Sequence, residues 1–385
     1  MTDAVILACA RSPITKAGRG AFADARIDDV GAQVLKCTMD RVLGLNSALI
    51  EDVLIGCAMP EGEQGLNVAR NISLLAHLPV EVAASTINRF CASSMEALAQ
   101  AARSIMCGDG ELFIAGGVES MSHVPMGGFN PSLNEKLMSE AGPDAYISMG
   151  ITAENLAKEY SITREEQDRF ALMSHRKTVS SQQRGKFEAE IVPIALKGKD
   201  NREHLISKDE GPRSDTSTEA LSELSPAFLA GGTVTAGNSS PKSDGAAMIV
   251  VGSKKFAKKM KIAPRAKIKS IAVAGVSPKF MGKGPIFAVP KALKRAGMKL
   301  RDIDLIELNE AFAAQALAVM RELDLDEKKV NVNGGAVALG HPLGASGARI
   351  ITTLLHAMET NDANTGLATM CVGGGQGMAM VFERI

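Results

Sequence analysis

The stretch at residues 331–349, NVNGGAVALGHPLGASGAR, places one histidine among glycines, alanines and short polar side chains. Glycine lets the backbone adopt positive φ and approach a ligand closely. Pro342 restricts its own φ and disfavours helix at His341, whereas residues 344–349 have the small side chains of a helix start. A histidine held on a rigid turn beside a helix N-terminus is placed for acid–base work. A buried, hydrogen-bonded histidine in a tight turn is the alternative that this stretch leaves open.

The elements around this stretch repeat an arrangement found in the first third of the chain. Residues 304–306 (DLI) resemble residues 52–54 (DVL), and residues 344–347 (GASG) resemble residues 91–94 (CASS) at nearly the same spacing. Both regions follow the order strand, helix, glycine turn, helix, strand. The repeat predicts two homologous α/β halves, each a sheet layered with helices, with chance similarity as the alternative.

A long insertion separates the two halves. It is rich in methionine, serine, proline and charge, and it contains a predicted helix at residues 164–185 with a capping box formed by Thr163 and Glu166. Its position at a strand end predicts a lid or substrate-covering loop domain. The predicted division is residues 1–117 (N-terminal half), 118–230 (inserted loop domain), 231–256 (return to the N-terminal half) and 257–385 (C-terminal half).

The composition excludes several classes of protein. Among 385 residues the formal net charge is zero, which argues against nucleic acid or an anionic membrane as the main partner. No apolar run approaches the roughly 20 residues of a membrane-spanning helix, and the N-terminus predicts a strand rather than a signal peptide. The six cysteines are dispersed without a C-x-x-C pair, so neither a metal site nor a disulfide framework is predicted. Free thiols favour a reducing, cytoplasmic compartment.

Cys91 is the predicted nucleophile because it directly precedes a strongly helical stretch at residues 92–106. A helix N-terminus favours the thiolate, so a lowered pKa is expected for this thiol. The repeat should bring Cys91 and His341 together, and a Cys/His pair is a common way to activate a nucleophile. The other cysteines outside the C-terminal block are predicted to be small buried apolar residues: Cys9, Cys37, Cys57 and Cys107.

Two further turns carry candidate groups. Cys371 ends an apolar strand and precedes the glycine-rich run 373–377, whose backbone N–H groups are free to stabilise an oxyanion. Asn309 stands at another predicted strand-to-helix turn, where it could hold a water or a carbonyl oxygen. A simple helix cap is the alternative for Asn309.

Five blocks together resemble the thiolase family over essentially the whole chain. They are NRFCASSMEAL (88–98), GNSSPKSDGAA (237–247), NEAFAAQ (309–315), NGGAVALGHPLGASGARI (333–350) and MCVGGGQG (370–377). The resemblance implies a thiolase-like fold of two layered αβαβα halves with an inserted loop domain. Within the family, GGVESMSHVPM (116–126) and the ending GQGMAMVFERI are most similar to bacterial 3-ketoacyl-CoA thiolases, the β subunit of the fatty-acid oxidation complex.

The resemblance also implies the role of each candidate residue. Cys91 would be the nucleophile that becomes acylated, and His341 would accept its proton and contribute to a first oxyanion hole. Asn309 would hold the water that completes this hole, and Cys371 would act as general acid and base. The N–H groups of Cys91 and Gly373 would form a second oxyanion hole. This chemistry needs coenzyme A as a substrate but no metal and no tightly bound cofactor.

The family likewise implies a coenzyme A site between the insertion and the GNSS block. The matching positions are Ser240, Ala236, Met149, Met281, Ala311 and Phe312. Arg213 is a candidate for the nucleotide end, with a solvated loop charge as the alternative. Ser148 stands where many biosynthetic thiolases have histidine, which disfavours specificity for acetoacetyl-CoA.

The expected function is therefore degradative 3-ketoacyl-CoA thiolysis in fatty-acid β-oxidation. The first alternative is an acetyl-CoA acetyltransferase (acetoacetyl-CoA thiolase) that runs the condensation direction. A decarboxylating ketoacyl synthase is disfavoured by Cys371, and a non-catalytic lipid-binding or scaffold protein should have lost part of the cysteine–histidine set. The resemblance further implies CoA thioesters as ligands, a homodimer or tetramer, and a multifunctional hydratase/dehydrogenase α subunit as a candidate partner.

Overall fold

The computed structural model describes residues 2–140, 143–197 and 202–385. The strands are β1 (Ala4–Arg11), β2 (Thr15–Lys16), β3 (Asp52–Gly56), β4 (Ala83–Ile87), β5 (Leu112–Ser120), β6 (Ile194–Lys197), β7 (Glu203–Ile206), β8 (Ser243–Ser253), β9 (Ala266–Gly275), β10 (Leu305–Leu308), β11 (Thr365–Val372) and β12 (Gln376–Arg384). The α-helices are α1 (Ile27–Asp40), α2 (Val68–Leu75), α3 (Ser93–Cys107), α4 (Glu135–Glu140), α5 (Met149–Glu159), α6 (Arg164–Gln183), α7 (Thr218–Ser222), α8 (Lys254–Met260), α9 (Gly284–Ala296), α10 (Ala313–Leu323), α11 (Ala336–Leu339) and α12 (Leu343–Thr360). Short 3-10 helices cover Ser47–Leu49, Gly62–Gln64, Phe90–Ala92, Pro143–Tyr146, Pro278–Lys283 and Leu300–Asp302.

The central sheet contains the repeat that the sequence predicts. Its strand order is β4-β3-β5-β8-β1-β9-β12-β11-β10, with β2 paired to β8. In the first half β3 and β5 are parallel, and β8 is antiparallel to both β5 and β1. In the second half β10 and β11 are parallel, and β12 is antiparallel to both β11 and β9. The two halves meet where β1 pairs with β9. On either side of this pair the strands follow the same arrangement, in opposite order along the sheet.

Five layers follow from the way the apolar faces are buried. Helices α3 and α12 share one core with strands of both halves, so they form the middle layer. Helices α1 and α2 cover the outer face of the first half, and α9 and α10 cover that of the second. Because α3 and α12 are equivalent helices of the two halves, their N-termini place Cys91 and His341 in one central region.

The two middle helices are in close contact through small residues. The backbone N–H of Ala348 donates to Ser94 Oγ at 2.9 Å, which joins the helices near their N-termini. At Gly347 an added Cβ would lie 2.5 Å from the backbone nitrogen of Met95 and 2.7 Å from its Cβ. The glycine is therefore needed for the approach of α3 and α12 rather than for backbone flexibility.

We expect Gly347→Ala to destabilise the fold by about 1–3 kcal/mol, because the extra methyl group overpacks this contact. The higher helix propensity of alanine would by itself act in the opposite direction. The midpoint of thermal unfolding should fall in this variant. Gly31→Ala in α1 is a matched control with a smaller expected effect, since its crowding involves the movable side-chain ends of Ile72 and Val118. Unchanged or raised stability of Gly347→Ala would contradict the packing argument.

The structure confirms some local predictions and corrects others. Helix α6 has the predicted capping box, in which Thr163 and Glu166 each accept from the other's backbone N–H. The boundary drawn at residue 117 falls within β5, because this strand continues to Ser120. Where the chain returns to the N-terminal half, Thr235 forms only an isolated bridge. The backbone N–H groups of Thr233 and Thr235 donate to the side chains of Glu154 and Asn238 instead of to a neighbouring strand. The domain boundaries themselves stay a prediction.

Candidate active site

Cys91 lies in a strained turn immediately before α3. It belongs to the 3-10 helix Phe90–Ala92, and Phe90 has φ of 44°, a left-handed conformation that is unusual for a bulky residue. Asn88 Oδ1 accepts from the Phe90 N–H at 2.8 Å, and Ser93 Oγ donates to the Phe90 carbonyl at 2.6 Å. These bonds hold the strained residue in place and so determine where the Cys91 sulfur points.

The pKa expected for Cys91 is wrong in direction. Burial raises the pKa of this thiol to about 11, although the N–H groups of Gly373 and of Cys91 itself favour the thiolate. Only 8% of the residue is exposed, and loss of water outweighs the effect of the helix N-terminus. The resting group is therefore a neutral thiol at pH 7, and a base must remove its proton.

His341 is the candidate for that base. It follows α11, and at Gly340, where φ is 112°, a Cβ would collide with the Ser243 hydroxyl. Burial, assisted by the charge of Arg349, lowers the pKa of His341 to about 3. The imidazole is neutral at pH 7 and can accept a proton. Residues 90–92 pack against α12, the helix that follows His341, so Cys91 and His341 lie in one region.

Asn309 joins this group at the end of β10. Its Nδ2 lies 3.3 Å from His341 Nε2, and the residue is fully buried. Helix α10 begins at Ala313 with Phe312 as its N-cap, so the helix-cap alternative for Asn309 is wrong. Within the described residues, Asn309 Oδ1 has no hydrogen-bond partner. This orphaned acceptor points to a water or a ligand donor, because buried polar atoms are rarely left unpaired.

Cys371 ends the apolar part of β11 beside Cys91. Burial and then the charge of Cys91 raise the pKa of its thiol, so the two sulfurs influence each other. The following turn has positive φ at Gly374 and Gly375, and it directs the Gly373 N–H at the Cys91 sulfur. Arg89 Nη1 also donates to Gln376 Oε1 at 2.9 Å, which connects the turn that holds Cys91 to this glycine turn.

Most of the predicted coenzyme A residues lie beside Cys371. Met281, Ala311 and Phe312 belong to one buried apolar cluster with it, and the partly buried Met149 packs against the same cluster. Ser240 is adjacent, because its N–H and its hydroxyl both donate to the Ala311 carbonyl, at 3.0 and 2.9 Å.

Two of the predicted contacts are less enclosed. Ala236 is exposed on the turn before Asn238. Arg213 is also exposed, outside the apolar cluster, and its backbone N–H donates to His175 Nδ1 at 3.1 Å. Neither placement assigns these residues a ligand.

Glu119 was not identified from the sequence. It is 1% exposed at the end of β5, and its carboxylate accepts from the N–H groups of Ala58 at 2.8 Å and Gly344 at 2.7 Å. Asn88, which precedes Cys91, donates from Nδ2 to the Ala58 carbonyl. Through Ala58, Glu119 therefore connects the turn that holds Cys91 with the start of α12. The feature of the sequence that could have indicated Glu119 is a single carboxylate in an otherwise apolar strand. Ser346, which contacts His341, was missed as well.

The remaining cysteines divide differently from the prediction. Cys9 and Cys57 are buried as expected, whereas Cys37 is half-buried and Cys107 is exposed at the end of α3. Cys107 ends its helix beside Gly108, where the chain turns at the surface. Across the described ranges, no group of three or more histidine, cysteine or acidic side chains is arranged to hold a metal ion. In the same ranges no helix has the length and apolarity needed to cross a membrane.

The chain is similar in sequence and in fold to known proteins over almost its whole length. The family model "Thiolase, N-terminal domain" matches residues 4–255, and "Thiolase, C-terminal domain" matches residues 262–384. The 3-ketoacyl-CoA thiolases of Bacillus subtilis (strain 168) and Idiomarina loihiensis are 50% and 49% identical, and each alignment covers 100% of both chains. The crystal structure of the Bacillus anthracis acetyl-CoA acetyltransferase is similar with a TM-score of 0.92 and 41% identity, covering 100% of this chain and 99% of the other. This likeness confirms the predicted fold.

Proposed function

Since the chain belongs to the thiolase family and is therefore an acyltransferase, we propose that it is a 3-ketoacyl-CoA thiolase of fatty-acid β-oxidation. In this reaction coenzyme A cleaves a 3-ketoacyl-CoA into acetyl-CoA and a shortened acyl-CoA through an acyl-Cys91 thioester. The names of relatives that are about half identical over their full length supply the substrate class. The observation that carries the mechanism is that the end of β11, with Cys371 and Gly373, packs against the Phe90–Ala92 turn that holds Cys91. A backbone N–H and a second thiol therefore lie close enough to influence the Cys91 sulfur.

The first half-reaction breaks a carbon–carbon bond. His341 Nε2 takes the proton of Cys91, and the thiolate attacks the C3 carbonyl, whose oxygen is stabilised by His341 and by a water held by Asn309. The C2–C3 bond then breaks, and its electron pair leaves on C2 as the enolate of acetyl-CoA. Cys371 protonates C2, which suits a thiol whose raised pKa keeps it protonated at rest.

The second half-reaction releases the acyl group. Cys371, now a thiolate, removes the thiol proton of an incoming coenzyme A, and the resulting thiolate attacks the acyl carbonyl. The N–H groups of Cys91 and Gly373 stabilise the oxyanion of this step, and Cys91 leaves as a thiolate that regains its proton from His341. Every proton that leaves a residue in the cycle is restored by its end.

The proposed coenzyme A site follows the apolar cluster around Cys371. Met149, Met281, Ala311 and Phe312 would contact the pantetheine arm, which is itself extended and weakly polar. Ser240 and Ala236 would line its edge, and Arg213 would meet the nucleotide end. By the same family likeness we propose a cytoplasmic homodimer or tetramer with a hydratase/dehydrogenase α subunit as partner.

The competing function is acetoacetyl-CoA synthesis by condensation. It is favoured by one specific observation, the name of the similar Bacillus anthracis structure, an acetyl-CoA acetyltransferase. Both reactions would use the same cysteines and histidine, so the substrate range separates them.

The test is the coenzyme A-dependent loss of 3-ketoacyl-CoA thioesters, measured from acetoacetyl-CoA to long chains. We expect thiolysis across chain lengths, including long chains. Activity confined to acetoacetyl-CoA would replace the proposal with the competing function. No thiolysis at any length by folded protein would overturn both.

A further inference from the structure

Ser346 makes two short contacts at the base of the candidate active site. It lies in the first turn of α12 and is fully buried. Its Oγ is 2.5 Å from His341 Nδ1 and 2.8 Å from the carbonyl oxygen of Pro342. The second contact is the common bond from a serine hydroxyl to the carbonyl four residues earlier.

The two contacts together determine where the protons lie. A carbonyl oxygen only accepts, so a separation of 2.8 Å between two oxygens is favourable only if the Ser346 hydroxyl donates to Pro342. A hydroxyl has one hydrogen, and the short contact with His341 must then be an N–H of Nδ1 donating to Ser346 Oγ. The opposite arrangement would leave two acceptor oxygens facing each other at 2.8 Å.

The other ring nitrogen agrees with this assignment. A neutral imidazole carries one N–H, so a proton on Nδ1 leaves Nε2 with a lone pair that can only accept. Asn309 Nδ2 lies 3.3 Å from Nε2 and is a donor. The amide oxygen of Asn309 then becomes the atom without a partner, as found. Burial keeps the ring neutral, consistent with a single N–H.

We propose that Ser346 is a positioning residue that holds His341 in the Nδ1–H tautomer, so that Nε2 is the unprotonated acceptor on the side of the candidate active site. The assignment of Nε2 as the acceptor of the Cys91 proton rests on the proposed function. When Nε2 is protonated, Nδ1–H stays bonded to Ser346, so no proton moves through the serine. The pair acts by orientation, in the way that a hydrogen bond to one ring nitrogen determines the chemistry of the other.

The first test is the tautomer of His341 in the resting protein, read from nitrogen-15 NMR of histidine-labelled samples. The His341 signals are assigned by their loss in His341→Asn. We expect a protonated Nδ1 and a bare Nε2 in the wild-type protein. A protonated Nε2 in the wild type would overturn the proposal without any variant having to fold.

The second test compares Ser346→Ala with Ser73→Ala. Ser73 is buried on the distant α2 and makes the same kind of bond, from Oγ to the Ala69 carbonyl at 2.8 Å, so it controls for loss of a buried helical hydroxyl. In Ser346→Ala we expect an Nε2–H population to appear and the rate of Cys91 alkylation by iodoacetamide at neutral pH to fall about 10- to 100-fold. Ser73→Ala should change neither. An unchanged tautomer and alkylation rate in Ser346→Ala would overturn the proposal.

These readouts separate this inference from the proposed function. Tautomer and alkylation are measured without any CoA thioester. An Nδ1–H tautomer that depends on Ser346, in a protein that thiolyses no substrate, would support the positioning role and overturn the proposed function. Normal thiolysis by a protein with the Nε2–H tautomer would support the proposed function and overturn the positioning role.

Discussion

Cys91→Ala is expected to reduce thiolysis on the order of 10⁶-fold, as removal of a covalent nucleophile does in other enzymes. Alanine has no atom to carry the acyl group, and the role proposed for Cys371 is proton transfer rather than acylation. With a 3-ketoacyl-CoA but no free coenzyme A, mass spectrometry of the wild type should show an added acyl group at Cys91. The variant should acquire no such group.

Cys107→Ala is the matched control for this experiment. It removes a thiol from the other end of the same helix, where the side chain is exposed. We expect wild-type thiolysis and a wild-type acyl adduct. An adduct on a different residue in Cys91→Ala, or substantial remaining turnover, would contradict the assignment of the nucleophile.

His341→Asn is expected to lower thiolysis by about 10²- to 10⁴-fold, the usual contribution of a general base. Its pH dependence gives a sharper result. Without the imidazole, Cys91 must ionise alone, and burial raises the pKa of that thiol to about 11. The thiolate fraction grows as pH rises, so alkylation of Cys91 should increase about tenfold per pH unit until about pH 11. In the wild type, the neutral base is present throughout the neutral range, because the pKa of His341 is about 3.

His356→Gln is the matched control, since His356 is a second buried histidine, at the other end of α12. Burial lowers its pKa to about 3 as well, but its Nε2 faces Arg265 rather than the candidate site. Alkylation of Cys91 in this variant should follow the wild-type pH profile. If His341→Asn also kept that profile, His341 could not be the base.

The sequence correctly predicted those features that depend only on neighbouring residues. The start of α12 after Pro342 and the capping box at Thr163 depend on residues within one helical turn, and both were predicted. The boundary drawn at residue 117 fell inside β5 because Gly116 and Gly117 resemble a turn. Their backbones instead pair with β8, which lies more than a hundred residues later in the chain.

The pKa of Cys91 shows where local reasoning fails. A helix N-terminus stabilises a thiolate, and residues 92–106 correctly predicted that helix. The desolvation that reverses the direction comes from the close packing of α3 and α12 and from the cluster around Cys371, which is assembled from distant segments. No pattern within a single segment measures how much water these contacts exclude.

The sequence by itself determined the set of candidate groups, Cys91, His341, Cys371 and Asn309, which stand at strand ends and helix starts in the two halves of one chain. Tertiary structure alone decided the direction in which the pKa values of Cys91, His341 and Cys371 shift. It also decided the position of the Ser346 hydroxyl beside the imidazole and of the Glu119 carboxylate at the start of α12. The reason is physical. Residue type and local propensity act over a few positions, whereas burial and hydrogen-bond partners depend on segments that meet only when the two halves pack together.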